Sequence, residues 1–177
     1  YAGGSSLSGT GTVTITGGTH TFPAGTFTPT GTVNFSVGTI TINNPITPSA
    51  LGTMGAIVTF TTAHSFSGFT LTGTLSGSGD VTVTGALNWS GGTMSGSGRT
   101  IIASGATLTI NASTHELERV LQNDGVATWT AGALQMNGGT FTNSGSFTAN
   151  SATTLSCYGT GGVNVFNNDG TFTKQGA

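Results

Sequence analysis

Few side chains in this sequence could do chemistry. There are three Lys/Arg, five Asp/Glu, three His and one Cys among 177 residues. The densest group is Thr114-His115-Glu116-Leu117-Glu118-Arg119. A metal site or an acid–base pair needs such side chains to converge at fixed geometry. On a strand, adjacent residues point to opposite faces, so His115 and Glu116 would diverge. The expectation is a solvated corner: one helical turn capped by Thr114, then extended chain from Arg119 onward. Asp80, Asp124 and Asp169 each lie next to Gly. They suggest calcium binding or a carboxylate pair for polysaccharide cleavage. The Gly-Gly-x-Gly-x-Asp calcium repeat is absent, and Asp and Asn beside Gly bond their own backbone in turns.

Arg99, Arg119 and Lys174 are well separated in sequence, unlike the basic clusters of enzymes that bind acidic sugars. His20 and His64 sit in Thr- and Ser-rich strings without ionisable neighbours. Cys157 has no nearby basic residue to lower its pKa. No catalytic, cofactor-binding or metal-ligating residue is therefore expected, no cofactor is implied, and the chain does not read as an enzyme. Trp89 and Trp129 are the remaining candidates, as surface platforms on which a sugar could stack. Packing in the core is the competing placement for a Trp at a repeated position.

The residues that must carry this chemistry belong to an unusual composition. Charged residues are 5% and hydrophobic residues 34%, with 31 Gly. Average soluble domains have roughly 25% charged residues. A net charge of −2 with three cations cannot neutralise a phosphate backbone, so nucleic acid is excluded as a partner. A basic membrane-surface helix is excluded on the same ground. No apolar run approaches the roughly 20 residues of a spanning helix, so no membrane insertion is expected. One Cys permits no internal disulfide. The Thr/Ser/Gly/Asn-rich, Lys/Glu-poor surface suggests an extracellular or cell-surface location. The start at Tyr1 suggests a mature or excised piece of a longer secreted chain.

Strand signals run throughout. Thr12-Val13-Thr14-Ile15-Thr16, Thr39-Ile40-Thr41-Ile42 and Thr107-Leu108-Thr109-Ile110 alternate at period two, as half-buried strands do. Gly-Gly, Ser-Gly and Asn-x-Gly punctuate them. Residues 81–150 read as one pattern written twice: Gly85 to Met94 returns as Gly125 to Leu134, an offset of 40 that puts Trp89 on Trp129. The same offset puts Thr100-Ile101 on Thr140-Phe141, and Val81 and Val83 on Leu121 and Asn123. A fixed period decides architecture. Two coils of about 20 residues account for this one, so the expected fold is all-β: a right-handed parallel β-helix, or β-solenoid, with coils of about 20–25 residues. Residues 1–177 are read as one solenoid domain within a longer chain. Its coils are less regular over 1–55 and clearly repeated over 75–177. Pro23, Pro29, Pro45 and Pro48 belong at corners or edges, and residues 44–55 at a loop or coil extension.

Leu121-Gln122-Asn123-Asp124-Gly125-Val126-Ala127-Thr128-Trp129, Asn137-Gly138-Gly139-Thr140-Phe141-Thr142-Asn143-Ser144-Gly145 and Asn168-Asp169-Gly170-Thr171-Phe172-Thr173-Lys174 resemble repeats of large bacterial surface proteins. Those proteins are haemagglutinin-type adhesins and autotransporter passengers, which form right-handed parallel β-helices. The resemblance covers about residues 75–177 and transfers no site residue. It implies an extracellular stalk or adhesive role; with the fold, this gives a structural or adhesive component of a larger surface stalk, fibre or matrix. Neither end shows a capping helix, and bare end coils template further strands, so the ends are expected to continue into neighbouring domains of the parent chain or to pair with another copy; glycans on a host or cell surface are the other expected partners. Two other readings stand beside it: a carbohydrate-binding or polysaccharide-processing β-helix, and ice binding through outward Thr ladders.

Overall fold

A computed structural model describes residues 6–48, 50–157 and 162–176. Among these residues there is no helix. The first strands are β1 (Leu7–Gly9), β2 (Val13–Phe22), β3 (Phe27–Pro29), β4 (Thr32–Ile42), β5 (Ala50–Met54), β6 (Ile57–Phe60) and β7 (His64–Leu71). Next come β8 (Thr74–Ser76), β9 (Val81–Trp89), β10 (Gly92–Met94), β11 (Arg99–Ile102), β12 (Thr107–Ile110), β13 (His115–Leu117) and β14 (Val120–Asn123). The last are β15 (Val126–Trp129), β16 (Leu134–Met136), β17 (Thr140–Asn143), β18 (Ser146–Ala149), β19 (Leu155–Cys157), β20 (Val165–Asn168) and β21 (Thr171–Lys174). Every pairing between them is parallel, and they stack into a β-solenoid of about eight turns.

Apart from β1 and β3, which pair as a separate two-stranded sheet, the strands sort into three ladders. Ladder one runs through the first halves of β2 and β4, then β5, the second halves of β7 and β9, β12, β15, β18 and β21. Ladder two runs through the second halves of β2 and β4, then β6, β8, β10, β13, β16 and β19. Ladder three runs through the first halves of β7 and β9, then β11, β14, β17 and β20. Alternation along each strand sends one set of side chains inward. The inward row of ladder one is Ile15, Phe35, Met54, Leu71, Trp89, Ile110, Trp129 and Ala149. That of ladder two includes Ile40, Val58, Leu75, Met94, Leu117 and Met136. The core is thus a narrow column of apolar side chains running the length of the rod.

Coil length varies more than the sequence pattern implies. The step is 17 residues from Met54 to Leu71, 23 from Met94 to Leu117, and 25 from Phe141 to Phe166. Trp89 and Trp129 are in register two coils apart through Ile110, as the echo predicts. Val81 and Val83 likewise reach Leu121 and Asn123 through Thr100 and Ile102. The echo slips by one residue beyond them, because Thr100 reaches Phe141 through Leu121 rather than Thr140. The first coils carry register shifts in the β2–β4 and β4–β5 pairings. Pro23, Pro45 and Pro48 lie outside strands and Pro29 ends β3. Within residues 44–55, Ala50–Met54 is strand, pairing on both sides, so among the described residues only 44–48 and Gly55 lie outside a strand.

The corner between ladders two and three shows why particular residues are needed. Gly79, Gly98 and Arg119 occupy it in successive coils, one residue before Asp80, Arg99 and Val120; Arg99 bonds to Asp80 and pairs with Val120. All three positions are buried. The Arg119 side chain lies along the space left by the two glycines, donating from Nε to the Gly98 carbonyl at 2.8 Å and from Nη2 to the Gly79 carbonyl at 3.0 Å. A Cβ on Gly98 would overlap the Gly79 carbonyl oxygen and meet Arg119 Nη2 at 2.6 Å. Gly98→Ala is therefore expected to lower stability by about 2–3 kcal/mol, as overpacking against immobile backbone does. A urea midpoint unchanged from wild type would refute this account of the corner.

Candidate functional site

The ionisable residues are placed by the ladders, and the ladders mostly set them against each other. Asp80 and Arg99 stand in adjacent coils and form an ion pair at 2.7 Å; Asp80 also accepts from the Arg99 backbone N–H at 2.8 Å. The guanidinium holds the Asp80 carboxyl below the usual carboxylate range. Arg99 Nη1 reaches Gln122 Oε1 at 3.4 Å, and Gln122 Nε2 donates to Asp124 at 2.8 Å. Asp80, Arg99, Gln122 and Asp124 thus form a chain across three coils. Sequence reasoning missed it, although the 19-residue interval between Asp80 and Arg99 is one coil length and would have found the first link.

Residues 114–121 form no helical turn. His115–Leu117 is strand β13, paired with β10 and β16. The segment keeps strand geometry because its neighbours on both sides supply ladder partners. His115 and Glu116 diverge as expected: His115 is wholly buried and Glu116 half-buried on the outside. Glu116 and Glu118 both accept from Asn137 Nδ2, at 3.3 and 3.1 Å. Among the described residues no three His, Cys, Asp or Glu side chains gather as metal ligands do. Lys174 Nζ is held by the carbonyls of Ser151, Gln175 and Gly176.

Two histidines lie inside the rod. The ring of His115 faces the carbonyls of Trp89 at 2.8 Å, Asn111 at 2.9 Å and Ala133 at 3.2 Å. That of His64 faces those of Thr62 at 2.7 Å and Asn44 at 3.0 Å. Burial lowers both pKa values, against the opposing pull of these carbonyls. Above the unfolded value of 6.5, both states are neutral and this stability is fully present. Below it the unfolded chain takes up protons first, so stability falls as pH drops toward the depressed folded values. The melting temperature is expected to decline between pH 7 and pH 5, and to decline less in His64→Gln/His115→Gln. A wild-type profile that is flat over this range would contradict the assignment.

The tryptophans are not surface platforms. Trp89 is 0% exposed and Trp129 is 4% exposed. Their alternate positions on β9 and β15 point inward, where Trp89 meets the His115 ring edge-on at 4.9 Å. Trp129 Nε1 donates to the carbonyls of Ala131 and Gly132 at 3.1 and 2.8 Å. Neither indole stands on the outer surface of the rod as a sugar-stacking platform would.

Two further features stand out among the described residues. On ladder two, outward Thr pairs align over successive coils: Thr19 and Thr21, Thr39 and Thr41, then Thr59 with Ile57 in the first position, then Thr74 and Ser76. Thr93 continues the first row and Glu116 ends it. At the C-terminal end of the rod is a cavity of about 250 Å³, lined mainly by Trp129, Leu134, Phe141, Phe147, Phe166 and Phe172.

Fold and surface together define a parallel β-solenoid whose polar chemistry lies mostly between its own coils. No family model, no characterised protein and no solved structure matches this chain.

Proposed function

We propose that this chain is a structural, adhesive β-solenoid outside the cell: a stiff spacer within a surface stalk, fibre or matrix. The observation that carries the reading is how the ionisable side chains are used. Seven of the eight charged residues bond to a neighbouring coil, to a residue nearby or to main-chain carbonyls: Asp80, Arg99, Glu116, Glu118, Arg119, Asp124 and Lys174. Side chains committed to coil-to-coil contacts act as mortar. The low-charge exterior of Thr, Ser, Asn and Gly supports an extracellular setting, and stacked ladders give length and stiffness from few residues. Antibodies raised against the chain should label intact cells of the source organism, or the material they shed. Labelling only after permeabilisation would overturn the reading.

A second reading has a specific observation behind it. The Thr rows of ladder two repeat about every 4.8 Å along the rod, with about 6.6 Å between the two rows. Residues 1–79 contain no Asp, Glu, Lys or Arg, so this face is hydroxylated and uncharged up to Glu116. Such a face is suited to ice, the alternative raised by the Thr strings. Thermal hysteresis that Thr41→Tyr removes would support ice binding; wild-type protein without hysteresis would dispose of it.

A further inference from the structure

We infer that a trough on the outside of ladder one, crossing β5, β7 and β9, is a binding site for a neutral glycan chain. This deepens the adhesive part of the reading above, on which it rests for its setting, by naming a place and a ligand class. Two features of the backbone make the trough. Between the pairs Val33–Leu51 and Phe35–Met54, β5 has two residues, Gly52 and Thr53, where β4 has only Asn34. This β-bulge bends the strand locally, and Asn34 Oδ1 takes the Thr53 backbone N–H at 3.0 Å. In the next two coils the first outward position of ladder one is held by Gly68 and Ala86, which pair with each other. A Cβ on Gly68 would overlap the Ala86 carbonyl oxygen, so the backbone itself keeps this position bare. The following coil carries Thr107 there and ends the hollow. What is left is a space of about 480 Å³ across three coils, within the range of small-ligand sites.

The polar groups of the trough are uncommitted. Thr53, Thr70 and Asn88 stand in one outward row in successive coils, and Ser67 lies beside Gly68. The hydroxyls of Thr53, Ser67 and Thr70 have no hydrogen bond to another described residue. Asn88 Oδ1 accepts from Asn111 Nδ2 at 2.8 Å, which leaves the Asn88 Nδ2 free to donate. The charged side chains, by contrast, mostly bond to the protein itself.

The lining narrows the choice of ligand. None of the described residues around the trough is ionisable, so neither an acidic sugar nor a basic chain finds a counter-charge. The lining strands are paired on both sides, so no backbone edge is open to an added peptide strand. Leu51 and Phe69 are only 3% and 5% exposed, so no apolar pocket awaits a side-chain anchor. A pyranose uses what remains: hydroxyl and amide partners along one side, and a bare, uncharged floor for its C–H face. With coils about 4.8 Å apart, the row from Thr53 to Asn88 spans about 10 Å, close to the length of a disaccharide in an extended chain.

The test is titration of the 177-residue protein with neutral linear hexasaccharides of glucose, mannose and xylose, and with hexagalacturonate, followed by amide chemical shifts. At least one neutral chain is expected to bind in the millimolar range and to move the amides of Gly52, Thr53, Gly68, Thr70 and Asn88. Hexagalacturonate should move none of them. Each variant is first shown to be folded by circular dichroism. Ala86→Leu fills the trough from an exposed position and should weaken binding about tenfold or more. Thr70→Val keeps shape and strand propensity, and serves if Ala86→Leu does not fold. It should weaken binding about threefold to tenfold, the loss of one hydrogen bond. Thr128→Val, in the same outward row but two coils beyond Asn88, should change nothing. Silence with all the neutral chains overturns the proposal. So does an equal loss in Thr128→Val, which would mean unselective contact with any Thr row, and so does tighter binding of hexagalacturonate. Trough amides that shift with protein concentration alone would assign the surface to a second copy instead. Cell-surface labelling is read independently, so failure of the glycan site and failure of the scaffold reading are distinguishable.

Discussion

Trp89→Ala is expected to destabilise the rod by about 4 kcal/mol, the cost of truncating a fully enclosed aromatic side chain. Trp89 is 0% exposed. Leu71 and Ile110 stack on either side of it on ladder one, and the His115 ring closes the third direction. Those neighbours are fixed by their own ladder bonds, so the void cannot collapse. Trp129→Ala, chemically the same change, should cost less. Trp129 already lines the open C-terminal cavity, and the lost volume joins a space that exists. Trp89→Phe should cost least, because the buried Nε1 of Trp89 has no hydrogen-bond partner to lose. Urea midpoints of the three variants give the ranking directly, and equal losses at Trp89 and Trp129 would refute it. Because each coil touches only its neighbours, hydrogen exchange in Trp89→Ala should accelerate first in β7, β9, β12 and β13.

The second large effect is at Asn143. It is wholly buried, accepts from Asn123 and donates to both Asn168 and the Thr171 carbonyl. Asn143→Ala removes these bonds and leaves the Thr171 carbonyl unpaired, at an expected cost of about 3 kcal/mol. Asn143→Asp nearly conserves shape and should be worse at pH 7. A carboxylate can accept from Asn123, but it places negative charge against Asn168 Oδ1 and the Thr171 carbonyl, where it cannot donate. An uncompensated buried charge costs more than a missing bond. At acidic pH the Asp variant takes up a proton, regains a donor and should recover relative to Ala. An Asp variant as stable as wild type at neutral pH would show that the amide ladder is not oriented as described.

The inward apolar rows were legible because they follow a period of two, and the repeat was legible because Trp89, Ile110 and Trp129 keep their steps of 21 and 19 residues. The one-residue slip at Thr100 was hidden by unequal coil lengths. The polar interior was not legible at all. His115, Arg119, Asn123 and Asn143 stand at inward positions where alternation predicts an apolar residue. Their partners are main-chain carbonyls and side-chain amides of other coils, and a carbonyl has no letter in the sequence. That is why residues 114–121 looked like a charged excursion from the pattern. The structure shows them as part of it, with one His and one Arg turned into the core. The tryptophans failed as sugar platforms for the converse reason: a repeated large ring is what a hollow, regularly spaced core needs.

The steps between paired residues also set how the rod would respond to force. Pulled from its ends, a stack of this kind peels one coil at a time, because each coil is held by its neighbours alone. Each opening trades a few ångströms of height for the full contour of the released segment. That contour is about 3.3–3.6 Å per residue, or roughly 55–60 Å for the step of 17 residues and 80–90 Å for the step of 25. The uneven coils thus form a graded tether. Its slack comes in unequal instalments, and the size of each jump in extension would report which coil has let go.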